Sequence, residues 1–555
     1  MNEHNRLWPL RLVLVLVSGV TGGITAMLFG HHSSQPVLGS YSVPAATALL
    51  ISVASFVTAV LLAASPNQKL LQFKNWFRDG TRSLQVEPPR GTRQSGLFLG
   101  VLALVSFVWL AIRFLAANPE AVDDQLDYLT VATDIQRMGG PAELWGRLWT
   151  GTYLEANRHP LYTTALSFCP SFTIAKSFST FLGGLALVIL WWGARRCGNW
   201  LIGGIAAVLL ATNGTFQDSS TMVACEMLLT CWVLLAWFAV ERCVGADWKP
   251  TNVQPSTGRP ADPPSDFTKL SLAAPWVQSG FVGLWLGLAY LTKASGLFLL
   301  VGFQIWSLLV PRLRPWSWVA LVVFLLVASP LLVRNARAFG DPLYSFNTRF
   351  LFADSFEQGL QRDFRGTWIE AREYLNSHSS RAIAQRALSG LGWEGFILLR
   401  SLGPAAMGES RPLVGLVVLL FSVIGTIATD RRLVWAATIW TAIFYFFFAW
   451  YVPIAAGDRF LAPIVAVILF FSARGAVILI ASNSPNNAQA AARWVILAAS
   501  LWCITMLMLS LKVTPTTKAG HVLLIRRVSS GQFGLNPIEN SLRRDVLRPL
   551  KLQGD

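Results

Sequence analysis

Five carboxylates crowd one polar stretch between two apolar blocks: Glu120, Asp123, Asp124, Asp127 and Asp134. Loop carboxylates are ordinarily only solvated, and for Asp123, Asp127 and Asp134 taken singly that is the simpler account. Asp124 has more in its favour, because a helix beginning there sets Tyr128 at i+4, beside it on one face. Such a carboxylate can serve as a general base toward a hydroxyl, which is a poor nucleophile at neutral pH; Asp123 is the reserve. Glu226, in Met222-Val-Ala-Cys-Glu-Met-Leu-Leu, falls inside an apolar run, where a carboxylate costs roughly 2–3 kcal/mol unless it snorkels or is used. Lys293 stands between two short apolar runs with no acidic neighbour in sequence. It either snorkels to the surface or meets a phosphate as a point charge. Residues 334–411 hold many arginines and no lysine. Guanidinium forks read phosphate bidentately, although interleaved Asp and Glu could simply pair with them. Arg334, against one apolar block, and Arg459, at the end of another, stand out from the rest.

The elements that must hold these residues are membrane helices. Of 555 residues, 53% are hydrophobic and 13% charged, with 23 Trp and 34 Phe, too few charges to cover a soluble surface of this size. The apolar residues form blocks of about 17–22, enough to cross ~30 Å of hydrocarbon as helices. Thirteen such segments are expected, near 9–30, 43–64, 97–117, 177–194, 199–213, 222–240, 277–292, 294–310, 316–333, 412–429, 433–451, 460–477 and 493–511. The fold class is therefore an all-α polytopic membrane protein. Lys69, Lys74, Arg78, Arg82, Arg90 and Arg93 mark 65–95 as cytoplasmic, and Arg195–Arg196, Arg312–Arg314 and Arg431–Arg432 then fall on the same side. Residues 118–176 and 334–411 become outer regions, with part of the first lying along the membrane surface before a helix at 177. The basic tail from Lys512 sits awkwardly outside. Residues 247–270, with five prolines, read as a cytoplasmic linker. The first apolar run lacks a small-x-small cleavage site and is expected to be retained. The net charge of +16 follows from topology and anionic lipid; no nucleic-acid motif accompanies it. The six cysteines show no Cys-x-x-Cys and read as small core residues.

One set of motifs resembles a known family. Asp124-Gln-Leu-Asp-Tyr128, a spacer with Gly139 and Gly140, Trp145 and Trp149, then Arg158-His-Pro-Leu-Tyr162, resembles the first outer loop of GT-C membrane glycosyltransferases. The nearest branch is the protein O-mannosyltransferase and lipid A aminoarabinose transferase group, whose loop runs Asp-Glu-x-x-Tyr and then Lys/His-Pro-Pro-Leu-Tyr. Here Gln125 replaces the Glu, and Pro160 stands alone. Gly283-Leu-Trp-Leu-Gly-Leu-Ala-Tyr-Leu-Thr-Lys293-Ala-Ser-Gly296, Ser329-Pro-Leu-Leu-Val-Arg334-Asn335 through Phe339-Gly340-Asp-Pro342, and Gly457-Asp-Arg459-Phe-Leu-Ala-Pro463 are similar to later family segments, in the family's order. The resemblance covers about 97–477. It implies a catalytic module there, preceded over 1–96 by two extra helices and a basic loop and followed over 478–555 by a last helix and a polar tail.

By that resemblance the chain would move a sugar, with inversion, from a polyprenyl-phosphate donor to a hydroxyl on a protein, lipid or glycan. The reaction would face the periplasm or exterior of a bacterial inner membrane. Asp124 would be the base; His159, Tyr162, Glu226, Lys293, Arg334 and Arg459 would bind donor phosphate or substrate. A lone His beside Pro is more often structural and makes no zinc site. A divalent ion (Mg, Mn or Zn) on Asp124 and Glu226 is implied only through the wider superfamily. The rival reading is a transporter or flippase of lipid-linked sugars, against which stand charges gathered in outer loops and the lack of an inverted repeat.

Overall fold

The computed structural model describes residues 90–511 apart from 118–120, 122–123, 198, 246–273, 362–365, 406, 408–410, 428, 456 and 484–487. The first two apolar segments, the Pro-rich stretch, Asp123 and the basic tail lie outside the described residues. Within them the chain is all-α, with one isolated bridge between Asn213 and Pro404. In order come α1 (Arg90–Ala117), α2 (Asp124–Arg137), α3 (Pro141–Thr150), α4 (Pro160–Leu166), α5 (Phe172–Cys197), α6 (Trp200–Ala211), α7 (Gly214–Ser220) and α8 (Glu226–Gly245). Then follow α9 (Pro275–Thr292), α10 (Gly296–Leu309), α11 (Arg314–Phe339), α12 (Phe356–Gln361), α13 (Thr367–Ser377) and α14 (Ser380–Leu402). The series closes with α15 (Arg411–Ile427), α16 (Arg431–Tyr451), α17 (Ala462–Asn483) and α18 (Ala488–Leu511), with a short 3-10 turn at Asp458–Leu461 leading into α17.

All eleven apolar segments that fall on described residues are helices. Among the described residues, seven helices are long and apolar enough to cross a membrane: α1, α5, α8, α11, α16, α17 and α18. α6, α10 and α15 are apolar but shorter, so of the eleven expected spans that fall on described residues seven are of full length. Two boundaries move. α5 begins at Phe172 rather than near 177, so the stretch expected to lie on the surface runs into that helix. α8 begins at Glu226 itself, so this carboxylate opens the helix instead of interrupting it, and the positive end of the helix dipole faces it.

The bundle has an inside and an outside. α8 and α17 are almost wholly buried, whereas α1, α11 and α18 turn apolar side chains such as Val105, Leu326 and Trp494 outward, as lipid-facing helices do. α15 and α17 approach so closely that a Cβ on Gly425 would overlap the Phe471 carbonyl and one on Gly475 the Phe421 carbonyl. The two central helices carry the site: Glu226 is the first residue of α8, and Arg459 lies in the turn entering α17. The arginine pairs at the end of α5 and the start of α16 lie at the opposite ends of their helices from the site.

Candidate active site

α2 is held at its first turn against the chain that precedes Glu226. The Val223 N–H donates to Gln125 Oε1 at 3.0 Å, and the Tyr128 hydroxyl donates to Cys225 Sγ at 2.9 Å. The helix is amphipathic, with Gln125, Tyr128, Val131, Ala132 and Ile135 buried on one side. Asp124, its first residue, is thereby set beside the start of α8. Burial pushes the Tyr128 phenol well above its ordinary value, so it stays a neutral donor.

The loop from Thr152 to His159 supplies the next charge. Glu155 accepts from the N–H groups of Asn157 (2.7 Å) and Arg158 (3.2 Å), curling the chain so that Arg158 turns back over α2. Its guanidinium lies 4.5 Å from the centre of the Tyr128 ring, donates to Asp124 Oδ1, and reaches Asp127 Oδ2 at 3.0 Å. Burial works against that charge, but Asp124, Tyr128 and Asp127 outweigh it and hold the guanidinium ionised. Arg334 anchors the same loop from below, donating to the carbonyls of Tyr153 and Glu155 while 2% exposed. His159, extended, precedes Pro160 at the first position of α4, where its missing N–H costs nothing. The imidazole is buried and its Nδ1–H donates to the Tyr290 carbonyl. Tyr162, fully buried, meets Tyr128 edge-on with ring centres 5.2 Å apart and shares a 2.7 Å hydrogen bond with Ser179.

Two more cations complete the cluster. α9 ends at Thr292 and α10 begins at Gly296, and in the break Lys293 Nζ donates to Glu226 Oε1 at 2.9 Å. The other oxygen of that carboxylate, Oε2, is buried with no hydrogen-bond partner. Arg459 pairs with Asp124 Oδ2 and also stands within electrostatic reach of Glu226 and Arg158. Its neighbour Asp458 is held by Arg400 and Arg411, each at 3.3 Å.

Of the residues expected from sequence, Asp124, Glu226, Lys293 and Arg459 are brought together; Tyr162 sits one layer behind, and His159 and Arg334 support the loop. Asp123 lies outside the described residues. Arg158 belongs at the centre and was not singled out, because nothing in sequence links it to carboxylates so far upstream. Asp458, Arg400 and Arg411 were missed for the same reason. Arg158, Lys293 and Arg459 balance Asp124, Asp127 and Glu226 in charge. Among the described residues no three His, Cys, Asp or Glu side chains gather as metal ligands. A divalent ion on Asp124 and Glu226 would have to displace the guanidinium and ammonium groups that face them, so the donor set present suits cation-stabilised chemistry instead.

Solved structures similar to this chain are membrane glycosyltransferases. The archaeal oligosaccharyltransferase AglB from Archaeoglobus fulgidus, in complex with an inhibitory peptide and a dolichol-phosphate, is 14% identical at a TM-score of 0.42, over 75% of this chain and 55% of its own. ArnT from Cupriavidus metallidurans, bound to undecaprenyl phosphate, is 14% identical at 0.42, over 77% and 72%. The S. cerevisiae protein O-mannosyltransferase Pmt1-Pmt2 complex, bound to the sugar donor, is 17% identical at 0.26, over 44% and 32%. This chain thus spans little more than half the length of AglB. No protein-family model and no curated protein matches the sequence. At such scores the overlap is loose, and the chemistry of this site has to be read from its own side chains.

Proposed function

We propose that the chain is a glycosyltransferase that moves a sugar from a polyprenyl-phosphate donor to an acceptor hydroxyl on the outer face of the membrane. The observation that carries this reading is Asp124 beside Arg158, Arg459, Lys293 and Glu226 at the mouths of the two central helices. The charge type fits the reaction. The acceptor oxygen attacks the anomeric carbon as the bond to the phosphate oxygen breaks, with inversion; Asp124 takes the hydroxyl proton, and Arg459 with Lys293 receives the charge that builds on the departing phosphate. Glu226 holds Lys293 in place through their hydrogen bond while the site is free. A lipid-borne phosphate can meet these groups at the helix ends without being drawn into hydrocarbon. The outer location is supported by the basic loops, which favour the cytoplasm and lie at the other ends of the helices. His159 and Arg334 act by holding the loop of Arg158, and Tyr162 by packing under Tyr128.

The deciding experiment gives purified protein in lipid nanodiscs a panel of radiolabelled polyprenyl-phosphate sugars and a membrane extract. Wild type transfers label to the extract, and Asp124→Asn loses at least a hundredfold of that rate, the ordinary scale of a lost general base. Movement of intact donor across vesicles without any transfer would replace this reading with lipid transport.

A further inference from the structure

Both oxygens of the proposed base are occupied. Oδ1 of Asp124 accepts from Arg158 and Oδ2 pairs with Arg459. A carboxylate gripped on both oxygens by guanidinium groups has its charge stabilised and is a poor proton acceptor. One of the two grips must open before Asp124 can receive a proton from a hydroxyl.

The two arginines differ in freedom. The Arg158 side chain is 11% exposed, lies over the Tyr128 ring and has Asp127 as a second partner. Releasing it would uncover a buried ion and a stacked ring at once. The Arg459 side chain is 42% exposed and projects from a four-residue 3-10 turn, with Asp124 as its carboxylate partner and the Phe460 ring 5.3 Å away. It is the arginine that an incoming anion can reach. A phosphate offers a guanidinium the same bidentate geometry as a carboxylate.

We propose that the donor phosphate and Asp124 are alternative partners of Arg459, so that phosphate binding takes Arg459 from Asp124 and only then frees the base. This inference rests on the glycosyltransferase reading and adds its order of events: donor first, then activation of the acceptor. The exchange moves no covalent bond. One ion pair, Arg459 with Asp124, is given up for another, Arg459 with phosphate, and Asp124 keeps Arg158. An empty site therefore holds its base masked, and the base becomes available only once a donor phosphate has bound.

The exchange fixes the sign of an effect that most roles for Asp124 would reverse. As a competitor for Arg459, the carboxylate weakens phosphate binding; as a ligand to the donor, it would strengthen it. Farnesyl phosphate, a short-chain polyprenyl phosphate, is titrated calorimetrically into the full-length protein in detergent. Asp124→Asn should bind it about tenfold more tightly than wild type, a change of about 1.4 kcal/mol. Arg459→Gln should bind at least tenfold more weakly. The double variant should match Arg459→Gln, because the competition vanishes with the arginine. Asp127→Asn, which leaves the Arg459 pair in place, should shift affinity less than threefold. Gel filtration and melting temperature show which variants fold; if Asp124→Asn does not, Asp124→Ala carries the same expectation. Unchanged or weaker binding in a folded Asp124 variant, beside measurable binding by wild type, overturns the exchange and leaves the donor class standing. Failure of wild type to bind farnesyl phosphate overturns the donor class and the exchange with it.

Discussion

Gln125 shows how finely charge is apportioned among these residues. Its buried side chain is needed only as an acceptor for the Val223 N–H, a task that a glutamate could also do. A second carboxylate next to Asp124 would, however, add negative charge to a cluster whose three cations are already matched. His159 presents the opposite case, a titratable group kept neutral. Burial, with Arg334 and Lys293 nearby, pushes its imidazole down to about 4. The folded state thus prefers the neutral ring more strongly than the unfolded chain does. Stability from this preference is complete above about pH 6.5 and is lost as pH falls toward 4, amounting to about 2 kcal/mol by pH 5. Melting curves at pH 7.5 and 5 should show a steeper loss in wild type than in His159→Gln, whose amide does not titrate; equal slopes would assign the acid lability elsewhere. In sequence this residue is marked by its neighbours Pro160 and Tyr162, and motif order likewise marks Asp124, Lys293 and Arg459. Arg158 is not legible because its pairing with Asp124 at a separation of 34 residues leaves no periodic trace, and the Lys293–Glu226 pair, 67 residues apart, is invisible for the same reason.

At the scale of elements, the turn before α17 decides where Arg459 points, and Asp458 decides where the turn sits. Arg400 comes from α14 and Arg411 from the first residue of α15, and both grip the one Asp458 carboxylate. Arg411 also donates to Thr215 Oγ1 at 3.2 Å, which ties the turn to α7. The clamp is buried and charge-assisted, so removing one member leaves charge unmatched in a poorly hydrated place. Asp458→Asn should therefore loosen the turn and weaken farnesyl phosphate binding several-fold without touching the ligand itself. Arg411→Lys, which keeps the charge but loses the planar fork, should fall between wild type and Asp458→Asn. If calorimetry shows affinity unchanged in both folded variants, the turn is positioned by packing alone. Neither arginine stood out in sequence among the many of residues 334–411. Most of α14 is hidden in sequence as well: its polar and apolar residues interleave as in an outer loop, whereas it is a 23-residue helix packed on α15 and α16. The longer apolar helices were legible because an unbroken apolar run long enough to cross a bilayer leaves the backbone little choice but a helix.

Across the whole molecule, packing and chemistry are placed at different depths. Lipid offers no hydrophobic drive between helices, so α15 and α17 depend on close van der Waals contact at small residues. The Gly425 and Gly475 contacts are reciprocal, each glycine facing a backbone carbonyl of the other helix, and no side-chain rotation can make room for a methyl group there. Gly475 lies 13 residues beyond the start of α17, roughly 20 Å along the axis at 1.5 Å per residue, so the site is distant from this contact. A methyl at either glycine should force the helices apart and cost about 1–3 kcal/mol, as overpacking does. Gly425→Ala and Gly475→Ala should each lower the melting temperature, and the pair should cost less than their sum, because the first methyl opens the gap that the second then occupies. Farnesyl phosphate affinity should stay within twofold of wild type in each folded variant. A loss of affinity that tracked the loss of melting temperature would instead mean that the α15–α17 spacing is transmitted to the Arg459 turn, and that the bundle positions its charges as one rigid body.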